Sequence, residues 1–398
     1  MTSSHTLLLL PPPPHPPSFA ALRAAYHAPL FAAVRDVKSR TSVPALLEVA
    51  LPCPHLYGNE NRPRSALYAE TQRLVSGLYK LMCVLAAQEG FDSGEAGGLD
   101  ARVLLLAYPR DGRLTNAVTG SRTEDDLQGP VINVGTLARS GRCWQTVYAV
   151  QTEAGEELLK NFQAAGTSTH NIKRVRGGIT QLQGQESPEP SSDDVRRHVA
   201  VAVGGTFDHL HIGHKLLLTM TAFAVESAVN VEEDVQRSIT VGITGDELLK
   251  NKKYAEYLES WDRRQRAAYD FLSTILEFGP AGSNLKKIDE VHNPGPNGHA
   301  VNITLPANLT VKCVEIWDAF GPTITDESIT ALVLSGETRS GGKAVNDKRQ
   351  EKGWPALEVL EVDVLDADET EVDSEQQRFA SKLSSTELRR QQGERAKV

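Results

Sequence analysis

HVAVAVGGTFDHLHIGH, residues 198–214, decides how the fold is read. The run His198–Val203 is short, apolar and rich in β-branched residues, as expected of a strand buried on both faces. Gly204 and Gly205 follow, letting the backbone turn sharply and approach a ligand closely. An apolar-rich helix is expected from near Gly213. Its unpaired N–H groups and the positive end of its dipole would then face the turn, an arrangement that favours phosphate. His211 and His214 flank Ile212 and Gly213, so both imidazoles can face one pocket while Gly213 leaves room for a nucleotide. Imidazole donors at a helix start suit the charge that develops on a transferring phosphoryl or nucleotidyl group.

Two blander readings compete. Asp208, His209, His211 and His214 offer metal-ligand chemistry, but no distal Cys or His partner is signalled. The histidines also make sense as residues merely satisfied at a helix start. The order strand, GGTFD, HIGH favours the nucleotide.

Outward from this segment, Ser238–Ile243, Leu309–Ile316, Ala331–Leu334 and Leu357–Val364 read as further strands, and Trp261–Phe278 carries helical spacing. Strands alternating with helices predict a Rossmann-like, doubly wound parallel sheet over residues 198–398, with its ligand at the strand C-terminal ends. Residues 279–306 are rich in Gly, Pro and Asn and read as a loop insertion. VGITGDELLKNKK (241–253) places Lys250, Lys252 and Lys253 just after a strand, where this fold binds anions. SGETRSGGKAVNDKR (335–349) reads as a glycine-rich loop carrying Arg339, Lys343, Asn346 and Arg349. It is not a P-loop, because Gly342 stands where Lys is needed. In SKLSSTELRR (381–390), Ser384 and Glu387 form a capping box. The same helix start, with Ser384, Ser385 and Thr386 hydroxyls near Lys382 and Arg389, would grip the β- and γ-phosphates of a nucleoside triphosphate.

GGTFDHLHIGH with a distal KLSST resembles the nucleotidyltransferase superfamily of HxGH and ISSTxxR signatures. WDAFGPTITDE (317–327), SGETRSGGKAVNDKR and GWPALEV narrow the resemblance to the eukaryotic type of phosphopantetheine adenylyltransferase, over about the last 200 residues. The resemblance implies transfer of the adenylyl group of ATP, with its Mg²⁺, to 4′-phosphopantetheine, giving dephospho-coenzyme A and pyrophosphate. It implies catalytic roles for His214 and Lys253, and ATP contacts from Gly205, His211, Gly213, His214, Ser384, Ser385, Thr386 and Arg389. Thr206, Phe207, Asp208, Lys253, Asn346 and Arg349 are the phosphopantetheine-binding residues it implies, with Lys253 preferred to Lys252. No resident metal site is expected. Sister enzymes acting on nicotinamide mononucleotide or using CTP are alternatives, as is a non-catalytic protein that binds coenzyme A. HIGH also occurs in class I aminoacyl-tRNA synthetases, but no anticodon-binding domain is evident.

The 398-residue chain has 42 Lys+Arg against 51 Asp+Glu, a net charge of -9 that argues against nucleic acid as a partner. No run reaches the roughly 20 apolar residues of a membrane span. Cys53, Cys83, Cys143 and Cys313 form no CxxC pair, and a reducing, cytoplasmic compartment fits. Residues 182–197, rich in Pro, Ser, Gln and acid, read as a linker. Residues 1–18 read as a proline-rich disordered tail, and residues 19–181 as a second α/β domain of unknown type. Within it Val43–Leu51, Arg102–Tyr108 and Val147–Gln151 are strand-like, while Ala66–Gln88 and Glu153–Ala165 are helical.

Overall fold

The computed structural model describes residues 5–40, 45–88, 99–115, 127–166, 171–179, 195–279, 286–293, 295–362 and 385–395. The chain divides into two compact units, residues 1–196 with 275–283, and residues 197–274 with 284–398. Among the described residues, no helix is long and apolar enough to cross a membrane.

The first unit contains β1 (His5–Leu9), α1 (Phe19–Arg40), β2 (Ala45–Pro52), α2 (Arg64–Gln88), β3 (Leu99–Leu106), β4 (Val131–Ile132), α3 (Val134–Arg139), β5 (Thr146–Gln151), α4 (Glu153–Ala165) and β6 (Ile172–Arg176). Its strands lie in the order β4-β3-β2-β1-β5-β6, every neighbouring pair parallel. The chain winds outward from β1 on one side, then returns to fill the other, as in doubly wound sheets.

The opening residues correct the expectation of a disordered tail. β1 is a central strand, hydrogen-bonded to β2 and β5, and Leu7 to Leu10 are all 0% exposed. A strand covered on both faces needs only a short apolar run, which has no period to announce it. Pro11 to Pro14 are buried as well. Proline has no N–H to satisfy, so only its carbonyls need partners. Tyr26 donates its hydroxyl to the Pro11 carbonyl at 2.8 Å, and Arg110 donates to that of Pro13 at 2.6 Å. Of the expected linker, only residues 195–197 are described.

The second unit contains β7 (Ala200–Gly205), α5 (Ile212–Ala224), β8 (Arg237–Thr244), α6 (Trp261–Leu276, through Thr274), β9 (Lys287–His292), β10 (His299–Leu305), β11 (Leu309–Ile316), β12 (Ala331–Ser335), α7 (Arg339–Glu351), β13 (Glu358–Val362) and α8 (Ser385–Arg395). The sheet order is β13-β12-β7-β8-β11-β10-β9. It is parallel from β13 to β11 and antiparallel through β10 and β9. The winding reverses beside β7, so the loops after β7 and β12 open at a topological switch point, where such sheets bind ligands.

Two expectations are corrected here. Residues 287–292 and 299–305, read as loop, form a β-hairpin at the sheet edge. β9 is exposed along most of its length, so its polar sequence KIDEVH shows no apolar alternation. The glycine-rich 335–349 segment is largely the helix α7 rather than a loop. Gly342 serves packing there, since a Cβ would sit 2.8 Å from Leu334 Cδ1 and 3.1 Å from Val359 Cγ2.

Candidate active site

The loop leaving β7 is strained and then locked. Phe207 and His209 have φ of 53° and 48°, the left-handed region that non-glycine residues adopt only when their surroundings hold them there. Phe207 is 0% exposed, and its ring lies 5.3 Å from that of His214. The His209 backbone N–H donates to the Glu259 carboxylate at 2.9 Å, and its Nε2–H donates to the Tyr257 carbonyl at 2.9 Å. Asp208 is 0% exposed and accepts the Glu259 backbone N–H at 3.0 Å. Its other oxygen takes Nη1 of Arg389 in a buried ion pair.

His211 is the residue that starts α5; it is extended and makes no side-chain cap. The first N–H groups of the helix are therefore not closed off by a capping side chain. The imidazoles of His211 and His214 stack with centroids 3.8 Å apart at 23°. Both Nδ1 atoms are buried and have no hydrogen-bond partner among the described residues. Burial pushes His211 down from 6.5 to about 4, with Lys215 and His209 adding in the same direction. Burial likewise holds His214 well below its usual 6.5, with His211 as the second cause. Both are neutral near pH 7, so each ring offers one N–H donor without placing two cations face to face. Gly213 makes the stack possible, because a Cβ there would meet the His211 ring at 3.2 Å.

The start of α8 meets this loop across the site. Ser385 donates its hydroxyl to the Asp208 carbonyl at 2.9 Å. Thr386 is exposed, and its oxygen accepts Arg389 Nη2 at 3.2 Å, leaving its own hydroxyl hydrogen to donate. Arg389 also donates Nε to the Lys253 carbonyl at 3.1 Å. One guanidinium therefore ties the β7 loop, the lysine loop and α8 together. Lys253 itself is exposed, as is Lys252, but it is the Lys253 backbone that Arg389 fixes. Thr206 is half-buried beside the same turn, and Gly204 is exposed. Ser384 and Lys382 lie outside the described residues.

Several residues expected to contact substrate have structural partners. Arg389, expected to contact ATP, is only 2% exposed and turned inward towards Asp208. Asp208 and Phe207, expected to contact phosphopantetheine, are both 0% exposed, buried within the turn. Asn346 exchanges two hydrogen bonds with the Leu357 backbone, at 3.0 and 2.8 Å. Arg349, 1% exposed, donates to the carbonyls of Thr323, Glu327, Ile329 and Pro355. Both residues, expected to contact phosphopantetheine, hold α7 against neighbouring segments.

One positioning residue went unread. Arg264, 0% exposed, donates to the Thr206 carbonyl at 2.7 Å, the Thr244 carbonyl at 2.8 Å and the Glu259 carbonyl at 2.9 Å, and pairs with Asp246 at 2.6 Å. It fixes the ends of β7 and β8, on which the site stands. Its signal was a charge within the apolar stripe Trp261, Arg264, Ala268, Leu272, where a helix turns its buried face.

A family model described as a domain of unknown function (DUF8446) matches residues 1–181. An uncharacterized protein of Schizosaccharomyces pombe is 33% identical over 239 residues, 59% of this chain and 60% of that one. A phosphopantetheine adenylyltransferase of Saccharomyces cerevisiae is 38% identical over 205 residues, 52% of each chain. A phosphopantetheine adenylyltransferase of Pyrococcus horikoshii is 30% identical over 171 residues, 43% of this chain and 82% of that one. The alignments thus span a little over half the length of the two yeast relatives.

Proposed function

The chain belongs to the nucleotidyltransferase family of the phosphopantetheine adenylyltransferases, and on that premise we propose that it adenylylates 4′-phosphopantetheine with Mg·ATP, releasing dephospho-coenzyme A and pyrophosphate. The observation that carries this reading is the stacked, neutral His211–His214 pair at an uncapped helix start, at the C-terminal end of β7. The greater identity of the budding-yeast relative supports the eukaryotic type. The free cysteines of this chain, three of them buried, suit a reducing, cytoplasmic setting.

In this reading, a phosphate oxygen of 4′-phosphopantetheine forms a bond to the α-phosphorus of ATP as the bond to the β-phosphate oxygen breaks. Pyrophosphate leaves with that electron pair. The acceptor phosphate has a second pKa of about 6, so near neutral pH it is largely a dianion and no general base is needed. Mg²⁺ arrives with ATP as part of the substrate and offsets the charge on its phosphates. His214 donates a hydrogen bond to the α-phosphate as charge develops there. His211 and the N–H groups of the α5 start hold ATP phosphates, with Gly205 and Gly213 keeping the backbone close. The hydroxyls of Thr386 and Ser384, with the backbone N–H of Ser385, grip the distal phosphates. Thr206 and Lys253 orient the acceptor phosphate for in-line attack.

The test is pyrophosphate release by the full chain with Mg·ATP and 4′-phosphopantetheine, run against CTP in place of ATP and nicotinamide mononucleotide in place of the acceptor. Turnover confined to the first pair, and cut about 10²–10³-fold in kcat by His214→Ala in folded protein, is the expected result. Turnover only with CTP or nicotinamide mononucleotide would reassign the substrate. No turnover with any pair, alongside retained coenzyme A binding, would sink the enzymatic reading.

A further inference from the structure

The edge hairpin carries a side-chain cluster that the adenylyl-transfer site does not use. His292 and His299 are direct cross-strand partners on β9 and β10. Their rings stack with centroids 4.5 Å apart at 13°. Glu290 lies two residues before His292, hence on the same face of β9. Its Oε1 stands 3.0 Å from His292 Nε2 and 3.5 Å from His299 Nε2. The ligating atoms of Glu290, His292 and His299 all lie within 4.8 Å of one another.

His299 is further organised from behind. Its Nδ1 lies 2.9 Å from the Glu315 carboxylate on β11, and its ring packs 4.3 Å from that of Trp261. A carboxylate can only accept, so Nδ1 holds a proton, and Nε2 is the nitrogen that a metal ion would take on the Glu290 side. A carboxylate behind a histidine is also the arrangement that fixes the tautomer and ring of a metal-ligating imidazole. Ligands bound at about 2.0–2.1 Å in a tetrahedral shell sit about 3.3 Å apart, close to the two nitrogen–oxygen separations here.

We propose that Glu290, His292 and His299 bind a divalent metal ion of the Zn²⁺ class on the edge hairpin, with Glu315 as the positioning residue. Two imidazoles and one carboxylate select Zn²⁺ and its late first-row neighbours over Mg²⁺ or Ca²⁺, which prefer all-oxygen shells. Three protein ligands on a solvent-facing strand leave the fourth position to water. The bound ion fastens the exposed end of β9 to β10, and through His299 to Trp261 at the start of α6.

The experiment is calorimetric titration of the chelator-treated full chain with Zn²⁺ in millimolar Mg²⁺. One saturable equivalent is expected, weakened more than about tenfold in His292→Ala and in His299→Ala and about 10–100-fold in Glu315→Gln. His214→Ala leaves it unchanged, which separates this site from the histidines of the nucleotide loop. His292 is exposed on an edge strand, so His292→Ala disturbs no core packing. Absence of saturable binding, wild-type affinity in either histidine variant, loss in His214→Ala, or displacement by millimolar Mg²⁺ would each overturn the site. Unchanged affinity in Glu315→Gln overturns the positioning role.

Discussion

Arg389 and Asp208, 181 residues apart in sequence, form an ion pair whose side chains are 2% and 0% exposed. The pair closes the helix α8 onto the strained turn that follows β7. Breaking a buried pair strands the surviving charge, a loss of about 3–5 kcal/mol. Arg389→Ala is therefore expected to lower the urea midpoint strongly. Arg389→Lys keeps the charge but lacks the fork that also reaches Lys253 and Thr386, so it should retain more stability while raising the KM for ATP. Equilibrium melts and steady-state kinetics of the two variants check this.

Gly213 lies against the His211 ring, where a Cβ would come within 3.2 Å of its Cε1 and Nδ1. Gly213→Ala displaces that ring and spoils the stack with His214. Helix propensity alone would favour Ala by about 1 kcal/mol, so a fall in kcat/KM of tenfold or more without loss of melting temperature identifies the geometry as the cause.

The histidine pair ties stability to pH. Folded His211 titrates at about 4 and His214 well below 6.5, whereas both titrate near 6.5 when unfolded. Between those values the unfolded chain binds more protons, so stability rises with pH across that window. The stabilisation is complete above about pH 6.5 and is lost as pH falls towards 4. For His211 the loss from pH 7 to pH 5 is on the order of 2 kcal/mol. Calorimetric melts at pH 7, 6 and 5 should show a shallower slope for His211→Asn than for the wild type.

Arg349 separates structure from catalysis. Its donors reach the carbonyls of Thr323, Glu327, Ile329 and Pro355 at 2.7–3.2 Å, and its side chain is 1% exposed. Arg349→Ala leaves the buried carbonyls of Thr323 and Ile329 without this donor, each worth about 1–3 kcal/mol. A large drop in stability is expected, with the KM for 4′-phosphopantetheine unchanged in the fraction that remains folded.

Much of the second unit was legible from residues alone. Leu309–Ile316 was read to the residue, and β7, β8 and β12 to within two. Buried parallel strands are continuous apolar runs, and the glycines and histidines after β7 mark the turn by their chemistry. β1 and β9 were not legible, for opposite reasons. The leucines of β1 are buried on both faces and so lack periodicity, while β9 is exposed and so lacks apolar residues.

The sequence by itself determined which residue types stand at the end of β7, and therefore the phosphate-transfer chemistry they suit. Only the tertiary structure decided which of the charged and polar residues face inward. Asp208, Arg264, Arg349 and Arg389 look like ligand contacts or surface charges in one dimension, yet all are at most 2% exposed. A charge leaves water only where opposite charges or carbonyls converge on it. Those partners lie up to 181 residues away in the chain, so no local pattern announces them.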